Sequence, residues 1–294
     1  MVLTPTVSFE FFPPHTPKAE EQLWTVMKKL SPLKPAFFSV TYGAGGSTRS
    51  RTERLVERVH NALAVPPAAH LTCVGATRDG IDSLAQQWWD SGIKHIVALR
   101  GDPPKGELQY TARPDGYANA AELVSGLRKI ADFEISVAGY PEMHPDSADL
   151  SADLDNLKRK VDAGADRVLT QFFFDNALFY RFRDAAVSAG IDIPIIPGIL
   201  PVTNFARVVE FSEKCGTSVP TAMAQQFEGL DDDPETRSLI AASSVIQQCE
   251  DLLANGVSAF HFYTLNRAAL TYAICWCLGV RPPVGENGTS AHAA

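Results

Sequence analysis

The segment Val7-Ser8-Phe9-Glu10-Phe11-Phe12-Pro13-Pro14 is apolar enough to be a buried strand, yet a carboxylate stands at its centre. A buried charge is costly unless it is paired, protonated or turned toward a polar cavity. The two prolines stop the strand and place Glu10 near its exit. Burial raises a carboxyl pKa toward neutrality, which makes Glu10 a candidate proton donor. Its position alone is read equally well as a structural glutamate paired with an arginine inside a sheet.

Other polar residues close or follow short apolar runs. They are Thr41 and Tyr42 after Val40, His70 and Thr72, Arg100 to Asp102 after Leu99, Tyr140 to His144 after Gly139, Thr170 and Gln171, and His261 to Arg267. Such residues suit acid–base chemistry and the holding of a polar ligand. Each also has a structural alternative. His70 is equally a satisfied core histidine, Arg100 and Asp102 an ion pair, Gln171 a hydrogen-bonded layer of the interior, and Phe172 to Phe174 plain core. Asp231-Asp232-Asp233 before Pro234 reads as a solvated helix start rather than a metal site. The histidines are scattered, without His-x-x-x-His or His-Glu-x-x-His, so no metal is assigned. The chain has no Gly-x-Ser-x-Gly elbow, and none of the expected strands contains a Schiff-base lysine.

The elements that must position these residues follow from periodicity. Strands are expected at 7–12, 36–42, 69–74, 95–100, 134–140, 167–174, 194–199 and 259–264. Helices are expected near 18–30, 50–63, 79–91, 119–130, 151–163, 176–189, 204–215, 235–255 and 267–278. Gly92, Gly164, Gly190 and Gly256 each follow a helix, where a left-handed cap is wanted. Near-continuous apolar strands such as His95-Ile96-Val97-Ala98-Leu99 fit a parallel sheet covered on both faces. Eight such units, in a chain slightly longer than the typical ~250 residues, predict an α/β fold of the (β/α)8 TIM-barrel class. It would form a single domain over 1–281 with extra helices, followed by a disordered tail at 282–294. A doubly wound sheet is the alternative, but the first strand lacks a Gly-x-Gly-x-x-Gly turn. In a barrel the active site lies at the C-terminal ends of the strands, where these polar residues fall.

Bulk properties narrow the partners. A net charge of −8 gives nucleic-acid binding no electrostatic support. No apolar run is long enough to span a bilayer, so no membrane is expected. The Cys residues at 73, 215, 249, 275 and 277 have neither zinc nor disulfide spacing. With no signal-peptide pattern at the start, they read as buried, reduced thiols of a cytoplasmic protein.

Six motifs then carry a family resemblance. They are Ser8-Phe9-Glu10-Phe11-Phe12-Pro13-Pro14, Val40-Thr41-Tyr42-Gly43-Ala44-Gly45-Gly46, His70-Leu71-Thr72-Cys73, Leu99-Arg100-Gly101-Asp102, Thr170-Gln171-Phe172-Phe173-Phe174-Asp175 and Phe260-His261-Phe262-Tyr263-Thr264-Leu265-Asn266-Arg267. In consistent order from Val7 to Val280, they resemble methylenetetrahydrofolate reductase, in its short bacterial form without the C-terminal regulatory domain.

The resemblance implies a flavin barrel in which NADH or NADPH reduces FAD and leaves. 5,10-methylenetetrahydrofolate then takes the same place and becomes 5-methyltetrahydrofolate. By resemblance Glu10 protonates the departing nitrogen, Asp102 tunes the flavin and holds the pterin, and Gln171 orients the pterin and the nicotinamide. The FAD contacts carry over onto Thr41, Tyr42, Ala44, His70, Arg100, Gly101, Asp102, Tyr140, His144, Asp153, Asn156, Arg159 and Lys160. The last two would serve the pyrophosphate. Phe211 would stack on the folate or the nicotinamide, and Arg267 would meet the folate tail. A homo-oligomer is expected on the same ground.

The chain departs from the family pattern at Gly139, Ser147 and Arg207, and in a longer loop from Pro103 to Asn119. These departures bear on FAD affinity and tail recognition more than on chemistry. Another flavin-barrel oxidoreductase and a non-catalytic folate- or flavin-binding barrel are the alternative functions. Nothing in the motifs separates NADH from NADPH, or reduction from the reverse oxidation.

Overall fold

Eight parallel strands pair in chain order and close on themselves in the computed structural model, which describes residues 4–42, 49–103, 106, 110–202 and 204–283. The strands are β1 (Thr6–Phe11), β2 (Phe38–Val40), β3 (Pro67–Thr72), β4 (His95–Leu99), β5 (Glu134–Gly139), β6 (Arg167–Phe172), β7 (Ile195–Ile199) and β8 (Ala259–Tyr263). Pairing of β1 with β8, from Thr6↔Ala259 to Glu10↔Tyr263, completes the (β/α)8 barrel. The helices are α1 (Pro17–Leu30), α2 (Arg49–Ala62), α3 (Arg78–Asp90), α4 (Ala120–Ile130), α5 (Leu150–Asp162), α6 (Asn176–Ser188), α7 (Phe205–Cys215), α8 (Thr221–Phe227), α9 (Pro234–Ala254) and α10 (Ala269–Cys277). A 3-10 turn, Ser31–Leu33, follows α1.

Side-chain chemistry starts these helices. Thr16, Thr77, Asn119, Asp149, Asp175, Asn204 and Asp233 each accept a hydrogen bond from a backbone N–H of the following first turn. The acidic triplet is therefore a helix start, with Asp233 as cap and Pro234 in the first turn. Gly92, Gly164, Gly190 and Gly256 all have positive φ, as the cap reading requires.

Several boundaries differ from expectation. β2 is only Phe38–Val40, and β3 begins and ends two residues early. Phe38 pairs with Pro67, which draws the start of β3 back, and no strand pair continues past Val40 or Thr72, although Thr41 N and Cys73 N still donate across to Phe11 O and Leu99 O. β6 ends at Phe172, leaving Phe173 and Phe174 in the loop. Helix α8 and the 3-10 turn have no counterpart in the periodicity, being too short to show one. Ala44 and the tail from 284 onward lie outside the described residues.

Strand alternation sends Phe9, Phe11 and Phe38 outward into the core beneath the helices. A separate small cluster of Phe37, Ala68, Val97 and Leu169 fills the interior. Below it, His95 Nε2 lies 2.7 Å from Glu134 Oε2, and Arg167 also pairs with Glu134. Packing thus closes the lower barrel and leaves the polar inward positions at the strands' C-terminal ends. The expectation of buried thiols holds for Cys73, Cys249 and Cys275, whereas Cys215 is half-buried and Cys277 is exposed.

Candidate functional site

Glu10 is the hub of the upper barrel. Alternation along β1 turns Ser8 and Glu10 inward, and the β1–β8 register sets them level with His261 and Tyr263. The carboxyl is 11 % exposed, with Oε2 at 3.4 Å from His261 Nε2 and 3.3 Å from His70 Nε2. The His261 contact has hydrogen-bond geometry. The His70 nitrogen lacks hydrogen-bond geometry, so that contact is one of proximity. Behind it, Ser8 Oγ lies 2.7 Å from His261 Nδ1 and donates to Phe260 O at 3.4 Å.

Two expectations are corrected here. The partners of Glu10 are imidazoles, not an arginine. Burial does push its carboxyl up, but the His261 hydrogen bond and the adjacent His70 outweigh it and hold the group down to about 2. In the ligand-free protein Glu10 is therefore an anion, not an acid poised near neutrality. His70 is not a satisfied core histidine either, since its buried Nε2 lacks a hydrogen bond.

The neighbouring exits present further polar groups. Thr41 N donates to Phe11 O at 2.9 Å, and Thr52 Oγ1 donates to Thr41 O at 2.8 Å, which fixes the turn that leads to Tyr42. Arg100 does not pair with Asp102. Its guanidinium reaches Asp146 at 2.8 Å and lies over the Tyr110 ring at 5.0 Å. Gly101 has φ +87°, and a Cβ there would lie 2.6 Å from Val74 Cγ1. Asp102 is exposed, and among the described residues no hydrogen bond engages it. Burial pushes the Tyr140 hydroxyl up, and the Asp102 carboxylate adds to the shift. The same holds for the Cys215 thiol, which burial raises to about 11 with help from Asp102.

At the exit of β5, Tyr140 meets His144 edge-on at 4.6 Å. Between them Met143 adopts φ 73°, a left-handed conformation unusual for its type. Buried Asp153 accepts from His144 N at 3.3 Å and from Ser147 Oγ at 2.8 Å, so the Ser147 departure gains a partner. Gly139 is matched by packing behind the strand, because an added Cβ would lie 2.6 Å from Val168 Cγ1 and 2.9 Å from Phe182 Cζ. Arg159 is exposed and lies 3.4 Å from Asn156 Oδ1. Lys160 is buried, and its ammonium donates to Ala138 O at 2.5 Å. Burial lowers its pKa to about 8. Only Arg159 of this pair is thus presented at the surface.

On the opposite side, Gln171 Oε1 accepts from Phe172 N at 3.1 Å, which holds the half-buried amide at the rim. Phe211, 39 % exposed, stacks on buried Phe172 with centroids 5.4 Å apart and planes at 15°. Phe172 is therefore core and also the floor beneath an exposed aromatic. Arg267 is exposed just after β8, and its N–H donates to Thr264 O at 2.9 Å.

Sequence reasoning assigned no site role to Ser8, His261, Tyr263, Asp146 and Cys215, although His261 and Tyr263 stood among the polar residues of the last strand. The first three were findable, because period-two alternation puts Ser8 on the face of Glu10 and His261 on that of Tyr263. Tyr263 Oη donates to Thr170 O at 2.7 Å, and burial, with Glu10 nearby, raises its pKa well above the usual phenol. Asp146 comes from the loop after β5 and Cys215 from the end of α7, and neither left a local signal.

The family model of methylenetetrahydrofolate reductase matches residues 3–279. The 5,10-methylenetetrahydrofolate reductase of Escherichia coli (strain K12) is 52% identical over 276 residues, covering 94% of this chain and 91% of its own length. Methylenetetrahydrofolate reductase (NADH) 1 of Arabidopsis thaliana is 37% identical, covering 93% of this chain and 48% of its own length. Among solved structures, a Clostridium thermocellum protein described as binding two copies of 5-methyl-5,6,7,8-tetrahydrofolic acid superposes with a TM-score of 0.63. It is 14% identical and covers 94% of each chain, a likeness of fold alone.

Proposed function

The chain belongs to the methylenetetrahydrofolate reductase family and is an oxidoreductase of folate one-carbon chemistry, and on that premise we propose that it reduces 5,10-methylenetetrahydrofolate to 5-methyltetrahydrofolate with electrons from NADH or NADPH through bound FAD. The two substrates would use one face in turn. The observation that carries the reading is an inward carboxylate between two imidazoles at the barrel mouth.

The residues fit a flavin dinucleotide. Ser39 Oγ, Thr72 Oγ1 and His70 Nε2 are buried polar atoms without a hydrogen bond. Such groups are costly unless something polar completes them. Thr41, Tyr42, Ala44, His70, Gly101 and Tyr140 would line the flavin. Arg100 and Arg159 would meet the pyrophosphate, while His144, Asp153 and Asn156 would hold the nucleotide side. Lys160 would stiffen the β5 exit beneath them. When bound, FAD accepts hydride from the nicotinamide and passes it to the folate.

The chain's own contribution is proton placement. The methylene bridge must open before it can accept hydride, and opening needs a proton on the departing nitrogen. Ser8 Oγ, 2.7 Å from His261 Nδ1, holds one side of the imidazole and leaves Nε2 facing Glu10 Oε2. A proton shared between His261 Nε2 and Glu10 Oε2 would then serve both groups. A carboxylate beside an imidazolium and an acid beside a neutral imidazole hold the same number of protons. Ligand filling the mouth would exclude water, disfavour the separated charges and move this proton onto Glu10. Asp102 and Gln171 would bind the pterin, Phe211 would stack on the benzoyl ring, and Arg267 would meet the carboxylate tail.

Anaerobic half-reactions test this. The purified protein should show a flavin spectrum, bleach with NADH or NADPH, and recover colour with methylenetetrahydrofolate. Glu10→Gln should bleach normally and recover at least ~10²-fold more slowly. A colourless protein that takes up no FAD, or normal recovery in the variant, would count against the assignment.

A further inference from the structure

We propose that Asn266 is a positioning residue for Glu10, its carboxamide acting as one extra rung of the barrel beyond the last backbone pair. This rests on the reading of Glu10 given above. Strands β1 and β8 pair up to Glu10↔Tyr263. Pro13 and Pro14 follow at once, and neither has an N–H with which to continue a ladder. Phe12 would be left with both backbone groups unpaired at the rim. Asn266 supplies what a neighbouring strand would: Oδ1 accepts from Phe12 N at 2.9 Å, and Nδ2 donates to Phe12 O at 2.9 Å.

A tight turn aims the carboxamide. Leu265 and Asn266 are consecutive left-handed residues, with φ 48° and 57°. Asparagine tolerates this conformation and leucine does not, so the turn is held by its bonds. Arg267 N donates to Thr264 O at 2.9 Å, and Asn266 N donates to Thr264 Oγ1 at 3.1 Å. That hydroxyl in turn donates to Glu10 O at 2.6 Å, beside the weaker bond from Thr264 N at 3.4 Å. Glu10 is therefore gripped on its own carbonyl and again two residues onward, all from one turn after β8.

The consequence falls on the side chain. The contacts of Glu10 reach across to His261 on β8 and His70 on β3, at 3.4 and 3.3 Å. Both depend on how far β1 stands out of the barrel relative to its neighbours. The clamp is at the surface, since Phe12 is 40 % exposed. It adds little to the core and sets the height of the carboxyl. Only asparagine combines a donor, an acceptor, this reach and left-handed tolerance. Aspartate keeps the acceptor and the tolerance, glycine keeps only the backbone, and alanine keeps neither.

The FAD-loaded protein, assayed by separate anaerobic half-reactions, tests the clamp. Asn266→Ala should be reduced by NADH within about twofold of the wild-type rate. Its reoxidation by saturating methylenetetrahydrofolate should slow about 10- to 100-fold, a loss in kcat rather than KM. Asn266→Asp should recover part of that loss. In the flavin-free protein, hydrogen exchange at the Phe12 amide should rise in Asn266→Ala and not in Asn266→Asp. If Asn266→Ala does not fold, Thr264→Val removes the hydroxyl while keeping the shape, and the same split is expected. Equal slowing of both half-reactions, or an unchanged folate half-reaction with an exposed Phe12 amide, overturns the proposal. A wild-type protein whose reduced flavin is not oxidised by folate overturns the reading of the site instead.

Discussion

Glu10 combines a largely buried carboxyl with two imidazole neighbours, and the balance of those effects gives a dependence on pH. Its carboxyl is held down to about 2, against an ordinary value of 4.5. A depressed carboxyl contributes stability that is complete above the unfolded value and lost as pH falls through the folded one. The window is therefore about pH 4.5 down to 2, and the amount is on the order of 3 kcal/mol. Denaturant unfolding at several pH values should show Glu10→Gln less stable than wild type near pH 6, with the gap closing toward pH 2. A constant gap would mean that the imidazoles do not hold the charge. At this scale the sequence announced the residue, because a carboxylate in an apolar strand is conspicuous. It did not reveal the sign of the shift, because His70 and His261 lie far along the chain and only β1–β8 closure and the neighbouring strands bring them to Glu10.

Strands and helices meet the site through short loops, and the caps show how tightly those loops are specified. Most elements were legible. Period-two and helical patterns predict all eight strands and nine helices, and the glycines after α3, α5, α6 and α9 mark their ends. Where prediction slipped, as in β2 and β3, the cause was register, which depends on a neighbouring strand and not on local residue type. The β4 exit offers an element-scale test. Gly101 has φ +87°, and a methyl group would press on Val74 and Thr72 of the adjacent β3 segment. Gly101→Ala should cost about 2–4 kcal/mol in urea unfolding, from left-handed strain plus overpacking. It should also displace Arg100 and Asp102, so FAD affinity should fall with stability. An unperturbed variant would mean that this loop adjusts freely.

The whole molecule is acidic, with a net charge of −8, yet its proposed ligands are anions. Binding must therefore depend on local cations at the mouth, Arg100, Arg159 and Arg267, rather than on the overall field. Because FAD would bind the closed barrel and not the unfolded chain, ligand at a hundredfold its Kd should stabilise the protein by about 2.7 kcal/mol. Thermal unfolding with and without FAD should show this as one cooperative shift, and Arg159→Ala should lessen it at the same FAD concentration. Equal midpoints with and without FAD would exclude a folded-state site. The sequence by itself determined the barrel class, the order of its elements, the exits that carry polar groups and the family, because these reside in local periodicity and contiguous motifs. Tertiary structure alone decided that Glu10 is paired with histidines, that Arg100 turns to Asp146 and not Asp102, that Lys160 is buried, and that Asn266 completes the rim at Phe12. Those facts join residues remote in the chain, and only the closing of the sheet determines which of them meet.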